Sequence, residues 1–323
     1  MDNILTVENL KLYYYTSKGV VKAVDDISFT LKKGETLGLV GESGCGKTTT
    51  GFALLKMPTP PGKIVGGRIE VDGIDITPLR ENEMRRNIRW EKISMVFQGA
   101  MNTLTPVYTI GKQMMETLQE HREMERDEAR KRIEKYLNLV GLSSDIVKRY
   151  PHELSGGMKQ RIAIATALFL EPKVIICDEP TTALDVIVQA QIINLLKDLK
   201  EKLDLSFIFI THDLATEAEV SDRIAVMYAG KIVEIGTNQQ IYGEQGPCHP
   251  YTKNLLAATP RLHERVSELS FIPGAPPDLL EPPSGCRFHP RCSLAMDKCK
   301  EEEPPLIEIE DEHMVACWRC EKR

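Results

Sequence analysis

One segment near the N-terminus has the residue types and spacing that phosphate binding requires. Residues 41–48 read Gly-Glu-Ser-Gly-Cys-Gly-Lys-Thr and fit the pattern G-x-x-x-x-G-K-[ST]. Glycines let backbone N–H groups turn toward phosphate oxygens without a clashing Cβ, and a following helix adds its positive N-terminus. We expect Lys47 to reach the β- and γ-phosphates and the Thr48 hydroxyl to bind Mg²⁺. The residues expected to contact the nucleotide are Ser43, Gly44, Cys45, Gly46, Lys47, Thr48 and Thr49.

Two adjacent acids, Asp178 and Glu179, follow the apolar residues 174–177. Neighbouring residues of an extended chain point in opposite directions, so the two carboxylates can serve two partners. One can hold Mg²⁺ through water, and the other can act as a general base, a role typically worth ~10²–10⁴ in rate. Taken alone, the pair is equally well explained as a solvated end of a strand.

Late cysteines form a third candidate site. Cys286, Cys292, Cys299, Cys317 and Cys320 lie in a proline-rich segment with weak apolar periodicity. A structural zinc finger usually shows paired C-x2-C spacings, and only the last two cysteines make such a pair. Wide, irregular spacing favours a [4Fe–4S] cluster on the first four, with Cys320 as a spare thiol. A zinc ion bound by these cysteines is the alternative, and free thiols are the third interpretation.

These side chains need a scaffold, and the first ~240 residues alternate short apolar runs with helical patterns, as α/β proteins do. Residues 37–40 lead into the glycine-rich loop, and residues 174–177 and 206–211 read as buried parallel strands. Helical or hairpin patterns cover residues 126–142, 192–203, 223–228 and 231–235. We predict a nucleotide-binding domain over residues 1–242 and a small, loop-rich, cysteine-rich appendage over residues 243–323.

Bulk properties exclude some classes of function. The chain has 323 residues and a formal net charge of −6, so its overall charge gives no support to a nucleic-acid role. No stretch approaches the ~18 apolar residues that a membrane helix needs. The first residues lack the basic and apolar regions of a signal peptide. We therefore expect the chain in the cytosol, with any membrane role exerted through partners.

The stretch Leu-Ser-Gly-Gly-Met at residues 154–158, read with the glycine-rich loop, resembles the signature motif of ABC ATPase subunits. The resemblance implies a RecA-like α/β core with an antiparallel β subdomain and a helical subdomain over about residues 100–165. In that family the signature acts on the ATP of another subunit in a head-to-tail dimer. We expect Ser155, Gly156 and Gly157 at a helix N-terminus, which suits an anion. A capping serine without a ligand is the alternative.

The same resemblance implies further roles. The acids are followed by Pro-Thr-Thr-Ala-Leu-Asp at residues 180–185, as in the family's Walker B motif and D-loop. Asp178 then corresponds to the acid that holds Mg²⁺ through water, and Glu179 to the general base. Gln98 resembles the Q-loop glutamine, which binds Mg²⁺ and water, and His212 the switch histidine that contacts the γ-phosphate and orients the base. The implied Mg²⁺ ligands are Thr48, Gln98 and Asp178.

Adenine recognition is the least specific part of the predicted site. ABC ATPases stack adenine on an aromatic residue of an early strand, and Tyr13, Tyr14 and Tyr15 all occur there. The family pattern favours Tyr14, with Tyr13 second. Packing within the sheet is the alternative role for each of the three.

Three segments resemble one branch of the family, the importer ATPases for oligopeptides, dipeptides and nickel: residues 97–106, 249–256 and 273–292. The branch implies an ATP-hydrolysing subunit that energises peptide import, and some of its members carry an iron–sulfur cluster. This sequence departs from the family pattern at Cys45, where serine is commoner, and at Gly99, where an acidic residue is usual. Cys45 keeps a small side chain, so nucleotide binding is not put in doubt.

The branch also implies partners: a second ATPase subunit, often a paralogue, two membrane permeases and an extracytoplasmic peptide-binding protein, at the cytoplasmic face of the cell membrane. Import of nickel or another small solute is the alternative within the family. Non-transport ABC ATPases of DNA repair or translation usually have long coiled coils or two cassettes, which this sequence lacks. An iron–sulfur redox or regulatory protein that uses ATP as an allosteric ligand is disfavoured by Glu179 and His212.

Overall fold

The computed structural model describes residues 2–258 and 272–320. The chain divides into two compact units. Unit one comprises Met1–Leu5, Leu31–Gly34 and Glu70–Ile208, and unit two comprises Thr6–Thr30, Glu35–Ile69 and Phe209–Arg323. None of the helices in the described ranges combines the length and the apolar character that a membrane crossing requires.

The strands are β1 (Asn3–Thr16), β2 (Gly19–Lys32), β3 (Thr36–Val40), β4 (Gly62–Val71), β5 (Ile74–Asp75), β6 (Ile93–Val96), β7 (Val174–Asp178), β8 (Ser206–Ile210), β9 (Arg223–Tyr228), β10 (Lys231–Thr237), β11 (Ile307–Glu310) and β12 (His313–Val315). The helices are α1 (Lys47–Leu54), α2 (Glu81–Glu83), α3 (Ile110–His121), α4 (Arg126–Leu139), α5 (Gly156–Ala167), α6 (Val186–Leu203), α7 (Leu214–Val220), α8 (Asn238–Tyr242), α9 (Pro250–Ala257) and α10 (Asp297–Glu301).

Unit one contains the parallel pair β6 and β7, accompanied by α3 to α6. Every residue of β6 and β7 is buried, as expected for parallel strands covered on both faces. The apolar face predicted for residues 126–142 is the buried face of α4. The helix ends at Leu139, earlier than predicted, because Gly141 adopts a left-handed φ of 73° and its N–H bonds the Asn138 carbonyl.

Unit two contains strands in the order β11–β12–β10–β9–β3. Strands β3 and β9 run parallel, and β9 and β10 form the predicted antiparallel hairpin. Its turn residues, Ala229 and Gly230, both have positive φ, which matches the right-handed twist of the two strands. In a second sheet, β1 lies between β2 and β4. The α/β fold class is therefore confirmed.

The predicted separate appendage is not supported. Strand β12 pairs with β10 through Glu234 and Val315, and β11 pairs with β12, so the late segment extends the sheet of unit two. The Phe288 ring lies 5.2 Å from the Tyr228 ring and 5.3 Å from the Tyr251 ring in one aromatic core. Sequence periodicity missed this because the two strands are only four and three residues long.

A disulfide joins Cys248 to Cys320. Cys320 is therefore not the spare thiol that the sequence analysis predicts. Around it, Ile309 and Val315 form a small apolar cluster with Cys317 at its edge. The two bonded cysteines are 72 positions apart, so their spacing gave no sign of the pairing.

Candidate active site

The glycine-rich loop follows β3 in unit two, and its shape depends on glycine at two positions. Gly41 and Gly46 have φ values of 149° and 109°, which L side chains rarely adopt. A Cβ on Gly41 would lie 2.1 Å from the Met227 carbonyl oxygen, and one on Gly46 would lie 2.3 Å from the Ala23 carbonyl oxygen. The loop is thus packed too closely against unit-two backbone to accept any side chain there.

Lys47 begins α1 and is nearly buried, with 7% of its surface exposed. Its Nζ donates to the carbonyl oxygens of Gly41 at 2.7 Å and Glu42 at 3.0 Å. These are neutral acceptors, and charged phosphate oxygens accept more strongly from an ammonium group. The buried Cys45 thiol lies 3.6 Å from Nζ, and burial raises its pKa, so it is present as the neutral thiol.

Three tyrosines of β1 have different surroundings. The Tyr13 hydroxyl donates to Asp25 at 2.6 Å, and burial together with this hydrogen bond raises the pKa of Tyr13. The Tyr14 hydroxyl lies 3.5 Å from the Thr49 hydroxyl of α1. Tyr15 is 45% exposed. Of the three, Tyr14 has a contact with the helix that follows the glycine-rich loop.

In unit one, the two acids lie at the carboxyl end of β7. Asp178 is 1% exposed and is the last residue of the strand. Glu179 has a left-handed φ of 47°, so the chain turns immediately after the strand. One oxygen of Glu179 accepts hydrogen bonds at 2.8 Å from both the Gln98 amide and the Thr182 hydroxyl. The structure thus brings together the predicted glutamine and the predicted base, which are 81 positions apart.

The signature residues begin α5, also in unit one. Ser155 is the N-cap, and its hydroxyl accepts the Met158 N–H at 3.3 Å. Leu154 is buried, whereas Ser155 and Gly156 are exposed. A Cβ on Gly157 would lie 2.7 Å from the Val188 side chain of α6. The positive end of a twelve-residue helix is therefore open at its surface.

His212 lies in unit two, directly after the buried Thr211. Its own side chain is exposed, and the next residue, Asp213, caps α7 by accepting the Ala215 N–H at 3.0 Å. The histidine thus lies on the short connection between β8 and α7, just after the strand that the sequence predicts there.

The four predicted cluster ligands meet at one small cavity. Cys286, Cys292, Cys299 and Cys317 all line a space of about 20 Å³. Burial raises the pKa of Cys286 to about 11, and the other three thiols add to that effect. Yet among residues 2–258 and 272–320, no group of three or more His, Cys, Asp or Glu side chains is placed to hold a metal ion. The convergence of the thiols agrees with the prediction, but the predicted [4Fe–4S] or zinc site is not supported.

Sequence reasoning missed two side chains that touch the glycine-rich loop. Arg291 forms an ion pair with Glu42, and the Tyr251 hydroxyl accepts the Glu42 N–H. Both residues lie in segments that served only as marks of family resemblance. Their distance from the loop in sequence, more than 200 positions, hid the contact.

Two known families match the chain. Residues 24–182 match the family described as ABC transporter. Residues 233–299 match the family described as oligopeptide/dipeptide transporter, C-terminal region. The second match covers much of the segment that unit two incorporates after β9.

Named relatives match over nearly the whole chain. The oligopeptide transport ATP-binding protein OppD of Bacillus subtilis is 48% identical over 322 residues, covering 98% of this chain and 89% of the relative. The dipeptide transport ATP-binding protein DppD of the same organism is 47% identical over 326 residues, covering 100% of this chain and 96% of the relative. OppD of Escherichia coli is 44% identical over 320 residues.

Solved structures match the fold. The dimeric post-hydrolysis structure of the ATP-binding cassette MJ0796 with ADP and Pi has a TM-score of 0.64 at 28% identity, covering 73% of this chain and 100% of that one. CbiO1 of Clostridium perfringens, part of the cbiONQ transporter complex, has a TM-score of 0.65 at 31% identity, covering 76% and 92%. With the relatives above, these likenesses confirm the predicted family: this chain belongs to the ABC transporter ATP-binding proteins, in the branch of oligopeptide and dipeptide transport.

Proposed function

We propose that the chain is an ATP-hydrolysing subunit that energises the import of dipeptides or oligopeptides through partner permeases. The observation that carries this is the Glu179 carboxylate, held by Gln98 and Thr182 at the end of β7, in a chain that also has an intact glycine-rich loop. The full-length identity to peptide-transport ATP-binding proteins supports the peptide substrate. Nickel or another small solute is the less favoured cargo.

The nucleotide chemistry follows from the side chains. The loop amides and Lys47 take the phosphate charge, and Tyr14, or else Tyr13, stacks on adenine. Thr48, Gln98 and Asp178 are the proposed Mg²⁺ ligands; their oxygen atoms suit a hard cation, which neutralises phosphate charge when bound. The loop residues assigned to the nucleotide remain Ser43, Gly44, Cys45, Gly46, Lys47, Thr48 and Thr49.

Glu179 is the proposed general base. Its carboxylate accepts a proton from water, the water oxygen bonds to the γ-phosphorus, and the bond from that phosphorus to the ADP oxygen breaks. His212 is proposed to contact the γ-phosphate and orient the base, as the switch histidine does in this family.

The assembly we propose is a head-to-tail dimer in which Ser155, Gly156 and Gly157 act on the ATP of the neighbouring subunit. The exposed N-terminus of α5 supports this, as does the dimeric cassette among the similar structures. The second subunit is a paralogue or a second copy. Two permeases and an extracytoplasmic peptide-binding protein complete the transporter, with the chain at the cytoplasmic face of the membrane. Residues 1–242 carry the nucleotide chemistry and residues 243–323 the region specific to peptide importers.

A [4Fe–4S] cluster on Cys286, Cys292, Cys299 and Cys317 stays a proposal, with zinc as the alternative. The four thiols at one cavity support it, because soft thiolates are the ligands that both groups prefer. Binding would require release of the thiol protons, which burial opposes in the metal-free chain. Iron and zinc contents of anaerobically purified protein separate the two, and absence of both metals would overturn the proposal.

The test of the main proposal is Glu179→Gln in a complex reconstituted with its permeases. ATP hydrolysis should fall roughly 10²- to 10⁴-fold, with ATP binding retained, because the amide cannot accept the proton. Glu201→Gln, at an exposed position of α6, is the control and should hydrolyse at the normal rate. Wild-type hydrolysis by Glu179→Gln would refute the assigned base. Stimulation by nickel and not by peptide would refute the peptide cargo.

A further inference from the structure

Glu42, the second residue of the glycine-rich loop, is held by two side chains from the late part of the chain. Arg291 donates from both arms of its guanidinium to the Glu42 carboxylate, at 2.6 and 2.9 Å. The Tyr251 hydroxyl accepts the Glu42 backbone N–H at 2.8 Å. The side chain and the backbone of one loop residue are therefore both fixed from outside the loop.

The two holding residues are themselves anchored. The Arg291 side chain is 6% exposed, and its Nε donates to the Pro273 carbonyl at 2.8 Å. Tyr251 is completely buried, and its ring centre lies 4.6 Å from that of Tyr228. The hydrogen bond to Glu42 raises the pKa of Arg291, so the guanidinium stays charged. This fixed, paired geometry is unlike that of an exposed surface ion pair, which contributes little.

The position of Glu42 gives these contacts a consequence for a bound triphosphate. Its carbonyl oxygen is one of the two carbonyl acceptors of the Lys47 ammonium, so movement of Glu42 displaces a partner of Lys47. Its carboxylate is a negative charge on a loop that must accept a more strongly negative ligand. A bidentate guanidinium both cancels that charge and fixes its position.

We propose that Arg291 and Tyr251 are positioning residues for ATP binding, and that the late segment sets the nucleotide affinity of the glycine-rich loop by holding Glu42 and neutralising its carboxylate. The proposal rests on the nucleotide site described under the proposed function. It gives residues 243–323 a task inside the ATPase itself, separate from any metal at the thiols.

The experiment measures the Kd of the purified full chain for a non-hydrolysable ATP analogue with Mg²⁺. Arg291→Met should raise this Kd about tenfold and raise KM for ATP to match, while kcat at saturating ATP changes less than about twofold. Tyr251→Phe, which keeps the ring packing and removes the oxygen, should raise Kd about threefold. Folding is checked by thermal unfolding of each variant.

Charge compensation gives the sharper readout. Glu42→Gln alone should bind the analogue within about threefold of wild type, and adding it to Arg291→Met should restore most of the lost affinity, because no uncompensated carboxylate remains. Arg223→Met is the matched control: it breaks another buried pair of unit two, Arg223 with Glu35 at 3.1 Å, and should leave Kd unchanged.

Wild-type affinity in a folded Arg291→Met chain would overturn the proposal. So would an equal loss of affinity in Arg223→Met, or a double variant no better than Arg291→Met. If Arg291→Met does not fold, Tyr251→Phe decides, and an unchanged Kd there overturns the proposal. Lys47→Ala reports separately on the site: if it still binds the analogue tightly, the proposed nucleotide site fails, whatever Arg291 does.

Discussion

The glycine-rich loop and the acid pair are held in place by different means. The loop is shaped by backbone: glycines at positive φ pack against carbonyl groups of unit two, and Arg291 and Tyr251 fix it from more than 200 positions away. Glu179 accepts hydrogen bonds from Gln98 and Thr182, which both lie on short connections of unit one, and the chain makes a left-handed turn at Glu179 itself. The loop should therefore fail as a whole when its close backbone packing is lost, whereas loss of a side-chain contact, at the loop or at the acid site, should lower affinity or activity in steps.

The largest effect is expected at Gly46, where a side chain would disrupt the close backbone packing of the glycine-rich loop. Gly46→Ala combines a φ of 109° with a Cβ placed 2.3 Å from the Ala23 carbonyl oxygen. It should cost about 4 kcal/mol in the free energy of unfolding and abolish nucleotide binding. Chemical denaturation and analogue binding measure the two effects.

Gly44→Ala is its matched control. Gly44 also has positive φ, at 78°, but its added Cβ meets no atom of the described residues within 4 Å. The cost should be about 1 kcal/mol, from the backbone conformation alone. Equal losses in the two variants would mean that close packing does not shape the loop.

The next largest effect is a dependence of stability on pH, and it arises at β3, the strand that leads into the glycine-rich loop. Glu217 of α7 is fully buried, and its Oε1 fills the space that a Cβ on Gly38 of β3 would need. Burial raises the pKa of Glu217 to about 8, with a small contribution from Asp213 and opposition from the Ser221 hydroxyl. The folded chain thus keeps this carboxyl protonated up to about pH 8, whereas an unfolded chain ionises it above the ordinary value of 4.5.

Stability should therefore fall as pH rises from 4.5 to 8, since the unfolded state binds fewer protons in this interval. Glu217→Gln removes that dependence and should exceed wild type by about 4 kcal/mol at pH 8, with little difference near pH 4.5. Thermal unfolding across this range measures it, with the exposed Glu219→Gln on the same helix as control. Parallel curves for Glu217→Gln and wild type would contradict the assignment.

The smallest effect is expected on the rate of hydrolysis at the acid pair. Thr182→Val removes the hydroxyl that donates to Glu179 and leaves the Gln98 amide in place. Hydrolysis should slow by about three- to tenfold, with a stability loss near 1 kcal/mol and an unchanged Kd for the analogue. Thr181→Val, at the neighbouring position, should have no such effect on the rate. A complete loss of activity would contradict the stepwise loss that we expect at the acid site.

Sequence alone could predict whatever depends on neighbouring residues. The glycine-rich loop, strand β7 with its terminal acid, and the β9–β10 hairpin are local patterns, and the structure contains them where expected. Family resemblance assigned roles to Gln98 and Glu179, and the structure adds the hydrogen bond between them. The roles assigned to these residues stay predictions.

The late segment shows why the rest could not be predicted. Residues 313–315 form a strand only because β10, nearly 80 positions earlier, offers an edge to pair with. The partner of Arg291 lies 249 positions away, and no periodicity records such a contact. Proline and cysteine content indicated loops and a metal, whereas in the structure Phe288 and Tyr251 of this segment pack against Tyr228 of the hairpin.

The Cys248–Cys320 bond also changes the chain's connectivity. It closes the backbone between the two cysteines into a covalent ring, so a single peptide cut inside the ring opens it without releasing a fragment. A nicked molecule would run as one band in a non-reducing gel and as two once a thiol reductant is added.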